Sequence, residues 1–430
     1  MANNEEVLEY LKNAAKKGSV LGLERITELC HILGDPQNKT KIIHVAGTNG
    51  KGSFSAMLSY ILRAAGYRVG CFSSPPLTGV TDSFRINCRE ISENVLAWVM
   101  ADIMPACESM KDKPTEFEIL TAAAYELFYR VDCDIAIIEC GMGGDTDSTN
   151  VVSSPLLSVI TNVALDHTAV LGSSVREIAQ RKAGIIKENR PVLYGGTDLD
   201  AFEVITAAAF EKNAPLSVTD QIRTLGTSTG ISGTELEFDG FGKARVPLIG
   251  TYQIYNIANV LTAVELLRRE DLEISDDAVR KGLSETCWHG RFELLCKEPP
   301  VIFDGAHNPD GIRQAAASIR HCFGGGKVAL LIGVLADKEY SLYPHVLGQY
   351  ISRAFTVTPD NPRALDSSVL ADTFSHEGID AQCFSSFSEG VKAAFTFAEQ
   401  NNIPLVALGS LYMYKDFCEA LNDITAEMQN

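Results

Sequence analysis

Ile42-Ile43-His44-Val45-Ala46-Gly47-Thr48-Asn49-Gly50-Lys51-Gly52-Ser53 runs from an apolar stretch through a glycine-rich turn into a helical pattern. Glycines let a backbone turn tightly and aim its N–H groups at an anion. The helix that follows adds the positive end of its dipole. Lys51 supplies a point charge for terminal phosphates, and Ser53 offers a hydroxyl to a bound Mg²⁺. The strict P-loop spacing is not met: Val45 stands where its first glycine would, and Gly52 separates Lys51 from the hydroxyl. The strand–loop–helix context is that of a Mg-nucleotide site, with Gly47, Thr48, Asn49, Gly50, Lys51, Gly52 and Ser53 as its phosphate-binding residues.

Working outward, the pattern alternates strand and helix. Upstream, Glu6 to about Leu33 reads as helical, with Leu8, Leu11, Leu21, Leu23, Ile26 and Leu29 as apolar contacts, until Asp35-Pro36 breaks it. Downstream, a helix over about Lys51–Ala65 points Met57, Leu58, Ile61 and Leu62 inward, and Gly66 ends it. Strands are expected at Arg68–Phe72, Ile135–Ile138 and Leu156–Ile160, and helices at Ser92–Met104 and Thr115–Tyr129. The segment to about Asn87 reads as a polar loop. Weaker strands near Leu216–Val218, Ile231–Phe238 and Ala244–Leu248 read as antiparallel and peripheral. A second series follows Trp288-His289-Gly290-Arg291-Phe292, with strands at Val301–Phe303, Val328–Ile332, Ala354–Val357, Gln382–Phe384 and Leu405–Leu408. The expectation is an α/β protein. An N-terminal P-loop ATPase domain, residues 1–292, has a mostly parallel sheet. A smaller Rossmann-like α/β domain spans residues 293–430, beyond a boundary near Arg291 at the polar segment Lys297-Glu298-Pro299-Pro300.

Composition narrows the function. The chain has 430 residues, long for one core, and 46% are hydrophobic. Its net charge of −18 argues against a nucleic-acid partner, and it forces any phosphate site to be made locally positive. The eleven cysteines form no CxxC pair, which fits free thiols in a reducing cytoplasm. Met1-Ala2-Asn3-Asn4-Glu5-Glu6 does not read as a signal peptide, and no apolar run reaches transmembrane length, so no membrane is expected.

Three further clusters carry chemistry. Glu139 ends the Ile135–Ile138 strand and precedes Gly141-Met142-Gly143-Gly144. Ligands of open α/β sheets bind beyond the carboxyl ends of strands, so this carboxylate is placed to hold Mg²⁺. Asp166-His167 follows the Leu156–Ile160 strand and points by the same topology at the same crevice. Ser174-Val175-Arg176-Glu177 is a capping box, after which Val175, Ile178, Ala179 and Lys182 share one face. Lys182 thus lies on an apolar stripe, either as a buried amine of lowered pKa or as a snorkelling side chain.

These stretches resemble folylpolyglutamate synthase, including the bifunctional form with dihydrofolate synthase activity, in the Mur ligase superfamily. The matching segments are His44–Ser53, Ser73-Ser74-Pro75, Asp147-Ser148-Thr149-Asn150, Leu165-Asp166-His167, Lys182-Ala183-Gly184-Ile185, Trp288-His289-Gly290-Arg291, Asp304-Gly305-Ala306-His307-Asn308-Pro309, Gly333–Lys338 and Gly409-Ser410-Leu411-Tyr412. The resemblance implies a Mur-ligase-type central domain followed by a ligase domain, in a monomer. It implies small-molecule substrates: ATP, L-glutamate, and a folate or dihydropteroate. Ser53, Ser74, Glu139 and His167 would hold Mg²⁺, and Lys182 would be carbamylated near a second ion. Lys51, His167 and Lys182 would form the catalytic set. Asn256, Arg291, Asp304 and His307 would contact the nucleotide, the last three from the domain junction. Arg85, Thr115, Phe117 and Glu118 would lie near the folate.

The chain departs from the family at Pro76, where His is usual, at Ser83, where Glu is usual, and at Asp145-Thr146, where Arg-Leu is frequent. These positions fall in loops expected near the folate. The implied chemistry is ATP phosphorylation of a substrate carboxylate and attack of the glutamate amine on the acyl phosphate, with domain closure excluding water. Two alternatives share the ATP site. A UDP-dependent Mur-type ligase should carry an N-terminal UDP-binding domain, for which the stretch before residue 42 is too short. A non-enzymatic P-loop switch leaves Lys182 and the second domain unexplained.

Overall fold

The computed structural model describes residues 3–220 and 223–429; Met1 and Ala2 lie outside them. The chain divides into two compact units. Residues 1–224, 238–241 and 255–286 form the first. Residues 225–237, 242–254 and 287–430 form the second. Two inserts before residue 292 therefore pack with the second unit, unlike a single cut at that position.

The first unit is built on an eight-stranded sheet. Its strands are β1 (Lys41–Ala46), β2 (Val69–Phe72), β3 (Phe84–Ile86), β4 (Arg89–Glu90), β5 (Ile135–Glu139), β6 (Leu157–Ile160), β7 (Val192–Tyr194) and β8 (Leu216–Val218), in the order β4-β3-β2-β5-β1-β6-β7-β8. β1 lies at the centre, parallel to β5 with Val45 opposite Glu139, and parallel to β6 with Ala46 opposite Ile160. β5 is buried along its whole length, which is why it reads as an unbroken apolar run rather than an alternating one. The chain runs outward in opposite directions from β1 and β6, so a crevice opens at the carboxyl end of β1.

Helices cover both faces. Met57, Leu58, Ile61 and Leu62 of the Lys51–Ala64 helix are fully buried, as their spacing requires. The single helix expected over 6–33 is two, Asn4–Ala15 and Glu24–Ile32. Between them Gly18 takes φ +68°, which a continuing helix cannot. Val7, Leu11, Ile26 and Leu29 are buried, whereas Leu8 and Leu21 are exposed.

Other expectations change. Leu216–Val218 is not antiparallel: β8 pairs parallel with β7, a strand too short to register in the sequence. The polar loop before Asn87 contains β3, which pairs antiparallel with β2 and with β4. The helix that begins at Glu93 continues through Pro105 to Ser109.

In the second unit a six-stranded sheet has the order β12-β13-β17-β14-β15-β16. It comprises β12 (Glu293–Lys297), β13 (Pro300–Phe303), β14 (Val328–Ile332), β15 (Ile351–Thr356), β16 (Ala381–Cys383) and β17 (Leu405–Leu408). A three-stranded sheet of β9 (Thr224–Gly230), β10 (Gly233–Phe238) and β11 (Gly242–Val246) accompanies it. Lys297–Pro300 is not a linker but the turn of the β12–β13 hairpin. Among the described residues no helix is long and apolar enough to cross a membrane.

Candidate active site

The glycine-rich loop leaves β1 at Gly47 and enters its helix at Lys51. Gly50 takes φ +85°, and a Cβ there would collide with the Asn256 side chain. A Cβ on Gly47 would collide with Thr161 Oγ1. The neighbouring loop after β6 holds the turn from the other side. Thr48 N–H donates to Asn162 O (3.0 Å), and Asn49 N–H donates to Asn162 Oδ1 (2.7 Å). Thr161 Oγ1 donates to Asn49 O (2.7 Å), and Asn259 donates to Thr161 O (3.3 Å). Asn256 and Asn259 lie one helical turn apart on the Gln253–Arg269 helix, which packs this edge of the loop.

Lys51 Nζ donates to Gly47 O (3.1 Å) and Thr48 O (3.3 Å), and stands 3.9 Å from Glu139 Oε1. Glu139 is buried at the end of β5, as is Ser53 one turn into the helix. Ser74 follows β2, at a cis Ser74–Pro75 bond, and is partly buried.

Lys182 is 3% exposed on the inner face of the Val175–Ala183 helix. The Ser174–Glu177 capping box opens that helix, and Arg181 turns outward to pair with Asp145 at 2.8 Å. Burial, and next the positive charge of Lys51, lower the Lys182 amine to about 7. With 3% of the residue exposed, Lys182 does not snorkel to solvent. Gly144 makes the approach possible: a Cβ there would meet the carbonyls of Arg181 and Lys182 at 2.8 and 2.9 Å.

His167 takes φ +49°, the left-handed region that non-glycine residues rarely occupy. Its backbone N–H donates to Asp166 Oδ1 (2.8 Å), and its ring Nε2 is 3.9 Å from Asp166 Oδ2. The ring is partly exposed, beyond β6 as expected.

Beneath the loop after β5 lies a buried polar chain absent from the sequence reading. His44 Nε2 lies 2.8 Å from Thr149 Oγ1 and 3.2 Å from Cys140 Sγ. Thr149 Oγ1 donates to Asp147 Oδ1 (2.5 Å), and Asp147 also accepts from Met142 N–H (2.8 Å) and Thr149 N–H (3.0 Å). Burial holds His44 down, to about 3, so its ring is neutral, and burial raises Asp147. His44 stands 105 residues from Thr149 and 96 from Cys140 in sequence, so no local pattern announces these two contacts.

The residues assigned to folate fall into two kinds. Thr115 and Glu118 form the capping box of the Glu116–Arg130 helix, and Glu118 also accepts from Arg25 Nε (3.1 Å). Glu118 Oε2 takes both of these bonds, whereas its Oε1 is buried with no hydrogen-bond partner among the described residues. Phe117 is partly buried, its ring 6.0 Å from that of Phe72 and against Gly141. Arg85 pairs with Asp82, which supplies a carboxylate beside the usual glutamate position taken here by Ser83, and donates to Ser73 Oγ (3.3 Å).

The second unit carries its own cluster. Asp304 is buried at the end of β13, accepts from Tyr252 Oη (2.8 Å) and from Ala306 N–H (2.7 Å), and has its carboxyl raised by burial. Arg291 opposes that shift by its charge, and its Nη1 lies beside Gly305. His307 Nδ1 lies 2.8 Å from Gly305 O.

Residues 45–264 match the Mur ligase middle domain, and residues 290–410 match the Mur ligase glutamate ligase domain. The dihydrofolate synthase/folylpolyglutamate synthase of Bacillus subtilis is 34% identical over 428 residues, covering 97% of this chain and 99% of that protein. The folylpolyglutamate synthase of Lacticaseibacillus casei is 33% identical over 423 residues, covering 96% and 97%. Among solved structures, Mycobacterium tuberculosis folylpolyglutamate synthase complexed with ADP and AMPPCP superposes with a TM-score of 0.89 at 26% identity, covering 98% of this chain and 99% of that one. Escherichia coli FolC in complex with DHPP and ADP gives 0.84 at 29% identity, covering 99% of each chain. The chain belongs to the folylpolyglutamate synthase/dihydrofolate synthase family of the Mur ligase superfamily, and is an ATP-dependent ligase that adds glutamate to folate.

Proposed function

We propose that the crevice at the carboxyl end of β1 is where the folate carboxylate is activated, and that Lys51, Glu139 and Lys182 are its central residues. The observation that carries this reading is the burial of Lys182, on the Val175–Ala183 helix, within electrostatic reach of Lys51, which itself stands 3.9 Å from Glu139 at the end of β5. A lysine amine is rarely buried without a task. Lys51 and the N–H groups of Gly47–Ser53 hold the phosphates. Asn256 packs the loop against the nucleotide. Arg291, Asp304 and His307 are assigned to nucleotide binding.

The donors present fit magnesium. Mg²⁺ prefers a carboxylate or two together with hydroxyls, waters and substrate phosphates to a cage made wholly of protein. Glu139, Ser53 and Ser74 are oxygen donors of that kind, and His167 is assigned with them. Among the described residues no group of three His, Cys, Asp or Glu forms a closed metal cage. Bound there, Mg²⁺ would neutralise phosphate charge.

Lys182 is assigned as a carbamate. The ammonium first gives up a proton; the neutral amine then adds carbon dioxide, a new N–C bond forming as one C=O π bond opens onto oxygen and a second proton leaves, so that a positive group becomes negative in all. Repulsion from Lys51 then turns into attraction. In the reaction, a carboxylate oxygen of the folate attacks the γ-phosphorus and ADP leaves. The glutamate nitrogen then attacks the acyl carbon, phosphate departs with the electron pair of the broken C–O bond, and the amine gives up a proton. Lys51 offsets charge on the transferring phosphoryl group throughout.

The family name of the Bacillus subtilis relative supports acceptance of dihydropteroate as well as reduced folates. The eleven cysteines, all free, support a reducing cytoplasm. Glu139→Gln keeps the side-chain size and removes the charge. Its apparent Mg²⁺ affinity in the ATP reaction is expected to fall at least about tenfold. A magnesium titration of phosphate release checks this, and an unchanged midpoint removes Glu139 from the ion's ligands.

A further inference from the structure

We propose that Cys287 is a reactive thiol that forms mixed disulfides with low-molecular-weight disulfides, with His289 as its positioning residue. The proposal is independent of the assignments at the glycine-rich loop. Cys287 and Cys383 are the two exposed cysteines of the eleven. Cys287 differs by what stands beside it. Its Sγ lies 3.7 Å from His289 Nε2, and the other ring nitrogen of His289 lies 2.6 Å from Glu293 Oε1.

The carboxylate is itself fixed. Glu293 Oε2 accepts from Gly290 N–H (2.8 Å) and from Tyr414 Oη (3.0 Å), and only 18% of its side chain is exposed. The Tyr414 ring packs against the imidazole with centroids 6.1 Å apart. The sulfur thus meets an imidazole whose far side is anchored by a carboxylate, an arrangement that places a nucleophile, an imidazole and an orienting carboxylate in line. The Cys287 sulfur and the Glu293 carboxylate both favour the protonated ring, raising His289 to about 10. The protonated ring stands 3.7 Å from the Cys287 sulfur, and the thiolate is the nucleophilic form of a cysteine.

A metal does not account for the cluster, because only one sulfur and one free ring nitrogen converge, and no group of three ligating side chains exists among the described residues. In the exchange the Cys287 sulfur gives up its proton and attacks one sulfur of the disulfide. One S–S bond forms, the original one breaks, and the departing thiolate takes the electron pair. Cys287 is oxidised and half of the reagent is reduced.

The test uses the full-length reduced protein, treated with substoichiometric glutathione disulfide, quenched, alkylated and mapped by peptide mass. Cys287 is expected to acquire glutathione at least about tenfold faster than Cys383. His289→Ala should bring Cys287 down to the rate of Cys383 while leaving Cys383 unchanged, which also reports that the second unit is folded. Glu293→Gln, which keeps the ring's neighbour but removes the charge, should fall between. Equal rates at the two cysteines, or a Cys287 rate unmoved by both substitutions, would overturn the proposal.

Discussion

Lys182→Ala is expected to leave a folded protein with turnover reduced at least about 10³-fold, the scale seen when a charged group at a transition state is lost. The helix that carries it is capped by Ser174 and Glu177 and packed through Ile178 and Ala179, none of which depends on the amine. Formate or acetate should restore part of the rate by standing in for the carbamate. Lys182→Arg should stay inactive, because guanidinium remains protonated and cannot add carbon dioxide. ¹³C-bicarbonate NMR of the parent should show a carbamate resonance that the Arg variant lacks. A fully active Lys182→Arg protein with no such resonance would reduce Lys182 to a structural residue.

The same burial carries a pH signature. Each unit by which a lysine is lowered costs the charged folded form about 1.4 kcal/mol. Between about 7 in the folded protein and its ordinary value near 10.5, the unfolded chain holds more protons, so stability rises with pH across that window. Below about 7 both states are protonated and the cost is complete. In buffer freed of carbon dioxide, Lys182→Met is therefore expected to have a higher Tm than the parent at pH 6–7, with the gap closing toward pH 10. Equal Tm values across that range would contradict a desolvated amine.

Lys51→Ala is expected to lower turnover about 10²–10³-fold, the usual effect of removing one desolvated contact to a transferring charge. The loop itself should survive, since Asn162, Thr161 and Asn259 hold its backbone. A second consequence separates this from a simple binding defect. Lys51 is one of the charges that lower Lys182, so its removal should move the Lys182 amine upward and weaken the carbamate resonance at fixed bicarbonate. Near-normal turnover in a folded Lys51→Ala protein would remove the loop from the phosphate site.

Much of this site was legible in the chain because its parts follow strand ends. His44–Ser53, Glu139 and Asp166-His167 each continue a short apolar run, and parallel topology carries all three to one edge of the sheet. Lys182 was legible as inward-facing because helical spacing sets it beside Ile178 and Ala179, but only packing decides whether its amine reaches water. The contacts that hold the site in place were not legible. His44 to Thr149, Arg25 to Glu118 and Tyr252 to Asp304 join residues 105, 93 and 52 apart, and nothing in either stretch alone predicts the pairing. The fold failed to show where elements were short or interrupted. β7 has three residues, the break at Gly18 lies inside an otherwise helical pattern, and the Lys297–Pro300 turn looks like a linker until β12 is seen to pair with β13.

The central claim is that one ATP site serves glutamate addition to a folate. Phosphate release from ATP should be measured with dihydropteroate, dihydrofolate, tetrahydrofolate or a UDP-linked muramoyl peptide, each with and without L-glutamate. The expected result is release that needs both a pteroate or folate substrate and glutamate, with dihydropteroate among the accepted substrates and no release with the muramoyl peptide. Release driven by the muramoyl peptide, or equally fast without glutamate, would contradict the account.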